Sequence, residues 1–199
     1  MQTDRKAEIL DVFMKLVSRF GIDKTTMQDV ATEAGISVGV IYKDFRNKED
    51  LIQAYLVRMQ HQFMFDCRQL LEEDLPPERM LHRFIRSFFE NIANLAEEDR
   101  GFLQFIKSED TFRFFRKNID KQEFFLDEVG AMIAAILERG VREGVFAIGA
   151  DDIPKTARLF FMAFQHFGKI AIIGKESRQK MLEGVDDMFA LLVRAIKRH

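Results

Sequence analysis

Length, composition and charge leave room for one or two packed domains and exclude a protein that binds nucleic acid through its overall charge. The chain has 199 residues, 47% of them hydrophobic, and a formal net charge of −2, with nine basic and nine acidic side chains among its first 60 residues. No secretory leader or membrane-length apolar run is recognisable, and the single cysteine, Cys67, cannot form an intrachain disulfide, so we expect a cytoplasmic protein with no membrane partner.

The spacing of the apolar residues predicts an all-α protein of about nine helices. Apolar side chains recur at intervals of three and four residues along most of the chain, and there are only 3 prolines and no convincing alternating strand pattern. The predicted helices cover approximately residues 3–20, 27–34, 38–44, 48–72, 78–97, 101–116, 120–142, 153–173 and 176–197.

Residues that start and stop helices stand at the ends of the early segments. Thr26 is suited to cap the second helix, with Asp29 three residues later in a capping-box position. Gly35 can adopt the left-handed conformation that ends this helix sharply. Ser37 is suited to cap the third helix, and Asn47 precedes the acidic first turn of the long fourth helix.

The second and third helices, with the four-residue turn "GISV" between them, have the layout of a helix-turn-helix. In this layout the second helix of the pair lies in the major groove of DNA, and the helix before it crosses the phosphate backbone. Gly39 has no side chain, so DNA or a neighbouring helix could approach the third helix closely at that point.

The run "TTMQDVATEAGISVGVIYKDFRNKEDL", Thr25 to Leu51, resembles the signature of the tetracycline-repressor (TetR/AcrR) family of bacterial transcription regulators. Each matching residue is common in helical proteins, but eleven of them match at fixed spacing without a gap. They are Thr26, Ala31, Ala34, Gly35, Ser37, Gly39, Tyr42, Phe45, Lys48, Glu49 and Leu51. The resemblance covers about a quarter of the chain.

The resemblance implies a role in DNA binding for eight residues. Tyr42 would give its hydroxyl to one phosphate, and Lys48, at the start of the fourth helix, would place a charge near another. Thr26 and Ser37 would help to hold the DNA backbone, although each would cap a helix in any case. The residues of the third helix that would face base edges or sugars are Val38, Val40 and Lys43, with Gly39 between them.

Two residues of the third helix depart from the family's pattern. Val40 stands where the family often carries a hydroxyl, so an apolar surface that could face a thymine methyl replaces one possible phosphate contact. Asp44 would repel phosphate unless it accepts a hydrogen bond from cytosine or pairs with a nearby cation. The nearby cations are Lys43, Arg46 and Lys48. These departures affect the expected operator sequence and leave the docking mode unchanged.

The family's second domain dimerises and holds a small-molecule pocket. We therefore divide the chain into a helix-turn-helix DNA-binding domain at 1–47 and a helical ligand-binding and dimerisation domain at 48–199, linked by the helix at 48–72. The helix at 153–173 is apolar almost all round, and its surplus face predicts a four-helix bundle across a two-fold axis. The predicted dimer residues are Phe160, Phe164, Phe167, Ala171, Val185, Met188, Phe189, Leu192 and Ile196.

Inward-facing apolar residues of the surrounding helices would line the pocket. The chain contains 21 Phe and 10 Met, so such a lining predicts a largely apolar or aromatic effector, although any single one of these residues is more often plain core. The candidates are Phe63, Cys67, Phe84, Phe88, Phe105, Phe125, Met132 and Phe164, and His61, His82 or His166 could orient a polar group.

These features predict a ligand-responsive repressor that binds a palindromic operator on double-stranded DNA as a homodimer and is released by a small, hydrophobic effector. The alternative is a helical adaptor or lipid-binding module without sequence-specific DNA binding. We do not expect an enzyme, a cofactor or a metal, because the 4 histidines are scattered and no catalytic pair, phosphate loop or metal-ligand spacing occurs.

Overall fold

The computed structural model describes residues 2–98, 100–117, 119–173 and 177–197, without the side chains of 2–4, 95–96, 98, 100–102, 110, 115, 119–125 and 170–173. These residues form α1 (Gln2–Phe20), α2 (Met27–Glu33), α3 (Val38–Asp44), α4 (Lys48–Leu71), α5 (Pro77–Glu98), α6 (Arg100–Lys107), α7 (Glu109–Lys117), α8 (Ile119–Arg142), a 3₁₀ turn (Ala150–Asp152), α9 (Ile153–Ile173) and α10 (Arg178–Ile196). The all-α expectation is confirmed. None of the described helices combines the length and the hydropathy needed to cross a bilayer.

One predicted helix is two helices. We expected a single helix at 101–116, but Ser108 separates α6 from α7. Its hydroxyl donates to the carbonyl of Phe105 (2.9 Å) and accepts from the backbone N–H of Thr111 (3.1 Å), so the same side chain ends one helix and caps the next. The other predicted helices agree with the observed bounds to within two residues, and the described residues form ten α-helices in place of about nine.

The first of two compact units combines the N-terminal helices with a later segment of the chain. It consists of Met1–Phe63 and Glu97–Ile119, so α6 and α7 belong with α1, α2, α3 and the beginning of α4. Phe105 and Phe114 anchor this later segment in the core, where the ring of Phe105 meets that of Tyr55 edge to face, with centroids 5.4 Å apart. The helix-turn-helix therefore shares its core with residues far along the chain.

The second unit consists of Met64–Ala96 and Asp120–His199. Phenylalanine rings of α5 and α9 pack together at its centre. Phe88 meets Phe161 edge to face with centroids 5.3 Å apart, and Phe89 lies 6.1 Å from Phe164. These Phe residues thus fill the core between α5 and α9.

Two glycines of the second unit are required by close packing. A Cβ added to Gly140 of α8 would lie 2.1 Å from Cδ2 of Phe146, whose side chain folds back over the end of that helix. A Cβ at Gly184 of α10 would lie 2.7 Å from Cε1 of Phe167 on α9. At both positions the absent side chain lets a phenylalanine ring approach the helix.

Candidate nucleic-acid interface

Helix α2 is held by hydrogen bonds at both of its ends. The carboxylate of Asp29 accepts from the N–H (2.9 Å) and the hydroxyl (2.6 Å) of Thr26, whose oxygen accepts from the N–H of Asp29 (3.2 Å). This is the predicted capping box. Its hydrogen bonds lower the pKa of Asp29, and the bond from the Thr26 hydroxyl has a larger effect than the bond from the Thr26 backbone N–H. Gly35 ends α2 with the predicted positive φ, +66°, and the N–H of Ile36 reaches back to the carbonyl of Ala31 (3.0 Å).

The third helix, α3, has one buried face and one open face. Ile41 is completely buried in the core of the first unit. Tyr42, next to it in sequence, is 51% exposed, and Gly39 is exposed as well. A Cβ added to Gly39 would have the hydroxyl of Ser37, 3.9 Å away, as its nearest neighbour. Among the described residues, no neighbouring helix therefore requires glycine at this position.

The other predicted DNA-binding residues of this segment divide between the surface and the core. Ser37 occupies the N-cap position, as predicted, but its hydroxyl makes no capping hydrogen bond. Lys43 is exposed and Val40 is half-buried. Val38 packs partly against the core of the first unit, so it has a structural role besides any contact with a base.

Asp44, at the end of α3, is neutralised by an arginine of α1. One oxygen of its carboxylate accepts a hydrogen bond from Nε of Arg5 (2.8 Å) and lies 2.7 Å from Nη2 of the same guanidinium, and the side chain of Asp44 is only 2% exposed. The partner is none of the cations that proximity in the sequence had indicated, which were Lys43, Arg46 and Lys48. Because it is paired and covered, this acid presents little negative charge to a phosphate.

Lys48, the first residue of α4, also has a partner within the chain. Its ammonium donates to the carbonyl of Ile22, 2.8 Å away in the loop between α1 and α2. Immediately before it, Asn47 caps α4 as predicted, since its side-chain oxygen accepts from the N–H of Asp50 (2.9 Å). Lys48 therefore has a structural role, and any contact with DNA would be additional.

Comparison with known proteins bears on the same segment. Residues 9–55, which include all of α2 and α3, match the family model described as bacterial regulatory proteins, tetR family. This segment is therefore similar in sequence to that family. The chain is 27% identical over 121 residues (59% of this chain, 63% of the other) to an uncharacterized HTH-type transcriptional regulator of Haemophilus influenzae. It is 23% identical over 156 residues (75% of this chain, 72% of the other) to the HTH-type transcriptional repressor KstR2 of Rhodococcus jostii.

The likeness to family members extends beyond the matched segment in fold. The crystal structure of a TetR transcription regulator from Haloarcula marismortui covers 98% of this chain and 100% of its own, with a TM-score of 0.77 and 18% identity, which shows a shared fold alone. In sequence, the chain spans 63%, 47% and 32% of the length of three curated relatives, so much of each relative has no counterpart in the alignment.

The predicted pocket residues lie mainly in packed core or at its edge. Phe84, Met132 and Phe164 are buried in the second unit, Phe105 is buried in the first, and Phe63 and Phe88 are half-buried. Cys67 borders a polar recess of about 320 Å³. The side chain of Phe125 lies outside the described residues. A small-molecule pocket formed by these residues therefore stays a prediction.

The predicted dimer residues lie largely on the inner faces of α9 and α10. Phe160, Phe164, Val185 and Phe189 are buried, Phe167, Met188, Leu192 and Ile196 are half-buried, and the side chain of Ala171 lies outside the described residues. On the outer faces of the same helices, Leu159 and Leu191 are 55% and 64% exposed. A helix that is apolar all round does not indicate which face the core takes, and here the phenylalanines fill the core. An interface on these helices would use the outer faces.

Proposed function

We propose that this protein is a ligand-responsive transcription regulator of the TetR family and that it acts in the cytoplasm. It represses by binding a palindromic operator as a homodimer, and it leaves the operator when a small, largely apolar molecule binds. Among its relatives, KstR2 of Rhodococcus jostii is described as a transcriptional repressor, which supports repression as the mode of action.

The observation that supports DNA binding best is the open face of α3. Tyr42 and Lys43, which are exposed where Ile41 is buried, present a hydroxyl and a positive charge to solvent, and Gly39 leaves the backbone open to close approach. Side chains of this kind contact phosphates and base edges when a helix lies in the major groove. The hydroxyl of Thr26 is engaged by Asp29, so its contribution is to position α2.

Dimerisation is supported by the outer faces of α9 and α10. Large exposed apolar side chains such as Leu159 and Leu191 are typical of subunit contacts when they lie in a patch. A two-fold axis between two copies would pair two α3 helices, and the half-sites of the operator would then be about 34–36 Å apart, one turn of DNA.

Fluorescence anisotropy tests this function directly. The probe is labelled duplex DNA from the region upstream of the protein's own gene, compared with a scrambled duplex of equal length at several salt concentrations. We expect the upstream duplex to bind about 10³-fold more tightly. Inserting five base pairs between its half-sites should abolish tight binding, because the second half-site then faces the opposite side of the helix. Equal affinity for all duplexes, without salt dependence, would contradict the proposal and favour the helical adaptor or lipid-binding module.

A further inference from the structure

A groove between α8 and α9 of the second unit is lined by residues other than those predicted for the pocket. Its volume is about 640 Å³, within the range of roughly 300–1,000 Å³ typical of small-molecule sites. Along α9 it extends from Pro154 to Gln165, a distance of about 16 Å at 1.5 Å per residue. The groove is thus long enough for an extended molecule.

Small residues of α8 create this space. Gly130, Ala131 and Ala134 lie on the face of α8 that lines the groove, and a Cβ added to Gly130 would meet nothing within 4 Å. The opposite wall contains Phe161, which is 7% exposed and is held in the core by its edge-to-face contact with Phe88. The groove is therefore bounded by packed helices, and its depth follows from the size of the α8 side chains.

The lining combines an apolar surface with one arginine. Met162 is 54% exposed and would be covered by a bound molecule. Arg158 also lines the groove. Among the described residues its side chain has no ion-pair or hydrogen-bond partner, and it does not pair with Asp127, the one acid of the groove lining. A guanidinium can donate two parallel N–H bonds to the carboxylate of a ligand, whereas a ligand ammonium would meet a carboxylate only as a point charge. The groove therefore favours a ligand with a carboxylate.

We propose that this groove is the effector site, and that its ligand is an elongated apolar molecule with a carboxylate. The apolar body lies along Met162 and the small residues of α8, and the carboxylate pairs with Arg158. The regulatory consequence rests on the proposed function, whereas binding to the groove does not.

Isothermal titration calorimetry of the full-length protein without DNA tests the site, with dodecanoate as the probe below its micellar concentration. Ala131→Leu fills the groove, and Ala135→Leu makes the same change one turn later on α8, at an exposed position outside the lining. We expect one dodecanoate per chain, a loss of at least about tenfold in affinity for Ala131→Leu, and no change for Ala135→Leu. Gly130→Leu fills the same space and replaces Ala131→Leu if that variant does not fold.

The charge of the ligand is tested with a second pair of variants. Arg158→Gln should lower the affinity for dodecanoate about fivefold and leave that for dodecanol unchanged, because a solvent-accessible ion pair contributes up to about 1 kcal/mol. Lys155→Gln removes an exposed cation of α9 outside the lining and should change neither affinity. Tighter binding of dodecylamine than of dodecanoate would overturn the carboxylate assignment.

Three further outcomes would overturn the site itself. The first is the absence of saturable dodecanoate binding. The second is an equal loss of dodecanoate affinity in Ala131→Leu and Ala135→Leu. The third is a change of oligomeric state in Ala131→Leu, measured by light scattering, which would show that a second copy of the chain occupies the groove. Operator binding is measured separately, with and without dodecanoate. If dodecanoate binds the groove and no operator is recognised, the proposed function fails and the proposed site stands. If an operator is recognised and dodecanoate does not bind, the proposed site fails and the proposed function stands.

Discussion

Nη2 of Arg5 lies 2.7 Å from the carboxylate of Asp44, thirty-nine residues later in the chain. The pair joins the first turns of α1 to the last residue of α3, and the side chain of Asp44 is 2% exposed. A negative charge at the C-terminal end of a helix is unfavourable, and burial adds to this cost. Arg5 offsets both, so this acid of α3 serves to hold the helix in place.

Arg5→Met should therefore destabilise the protein. It leaves the covered carboxylate of Asp44 without a partner. Because Arg5 is itself 37% exposed, we expect a smaller loss than for a fully buried ion pair, about 2–3 kcal/mol in the free energy of unfolding. The double variant Arg5→Met/Asp44→Leu removes both charges and should recover most of the loss. Urea unfolding measures both, with Lys6→Met as the control at a neighbouring exposed lysine. A loss no greater than that of the control would contradict this role.

Tyr42→Phe and Lys48→Ala should separate DNA contact from structural support. Tyr42 is half exposed, so its hydroxyl can be removed with little effect on stability, and we expect operator affinity to fall about threefold to tenfold whatever the base sequence. Lys48→Ala also breaks the bond to Ile22, so it should lower stability by about 1 kcal/mol and reduce the salt slope of binding by about one. An unchanged salt slope would assign Lys48 a purely structural role.

Local signals made the first helices predictable. A capping box lies within four residues, so Thr26 and Asp29 could be paired from the sequence, and Gly35 could be assigned its positive φ. The same kind of signal marks Ser108, where a serine precedes two acids and a threonine, although the apolar residues on both sides of it favour one continuous helix.

Contacts between distant residues could not be predicted in the same way. Nothing near Asp44 in the sequence indicates Arg5, and nothing near Tyr55 indicates that Phe105 packs against it. Periodicity shows that a helix has an apolar face but does not name the face that meets it. For α9, which is apolar all round, periodicity leaves even the inward face undetermined, and Phe160, predicted for the dimer interface, is 3% exposed in the single chain.

Alanine at two glycines of α8 should have opposite effects on stability. At Gly140 the new Cβ would lie 2.1 Å from the ring of Phe146, which is 3% exposed, and displacing that ring should cost about 2–3 kcal/mol. At Gly130 the new Cβ meets nothing within 4 Å, so the higher helix propensity of alanine should stabilise the protein by up to about 1 kcal/mol. Urea unfolding of the two variants decides, and equal destabilisation by both would contradict the packing described for Phe146.

Leu191→Glu should weaken the proposed dimer. Leu191 is 64% exposed on the outer face of α10, so the change should leave the monomer folded while a charge enters the interface. Light scattering over a concentration series should show a dissociation constant raised at least about tenfold. Phe112→Glu, at a 63% exposed phenylalanine of α7 in the first unit, is the matched control. Dissociation of the dimer in Phe112→Glu and not in Leu191→Glu would show that α10 does not form the interface.

Cys67 should be unreactive in the folded protein. Burial, with a smaller contribution from the negative charge of Asp66, raises the pKa of its thiol to about 12, so the reactive thiolate is scarce at neutral pH. Alkylation by iodoacetamide at pH 8 should be at least about 100-fold slower than in urea. The folded state also holds this proton more tightly than the unfolded state, so stability should decline as pH rises above the usual thiol pKa, and Cys67→Val should remove that part of the decline. Rapid alkylation under native conditions would show that the thiol is accessible and ionised.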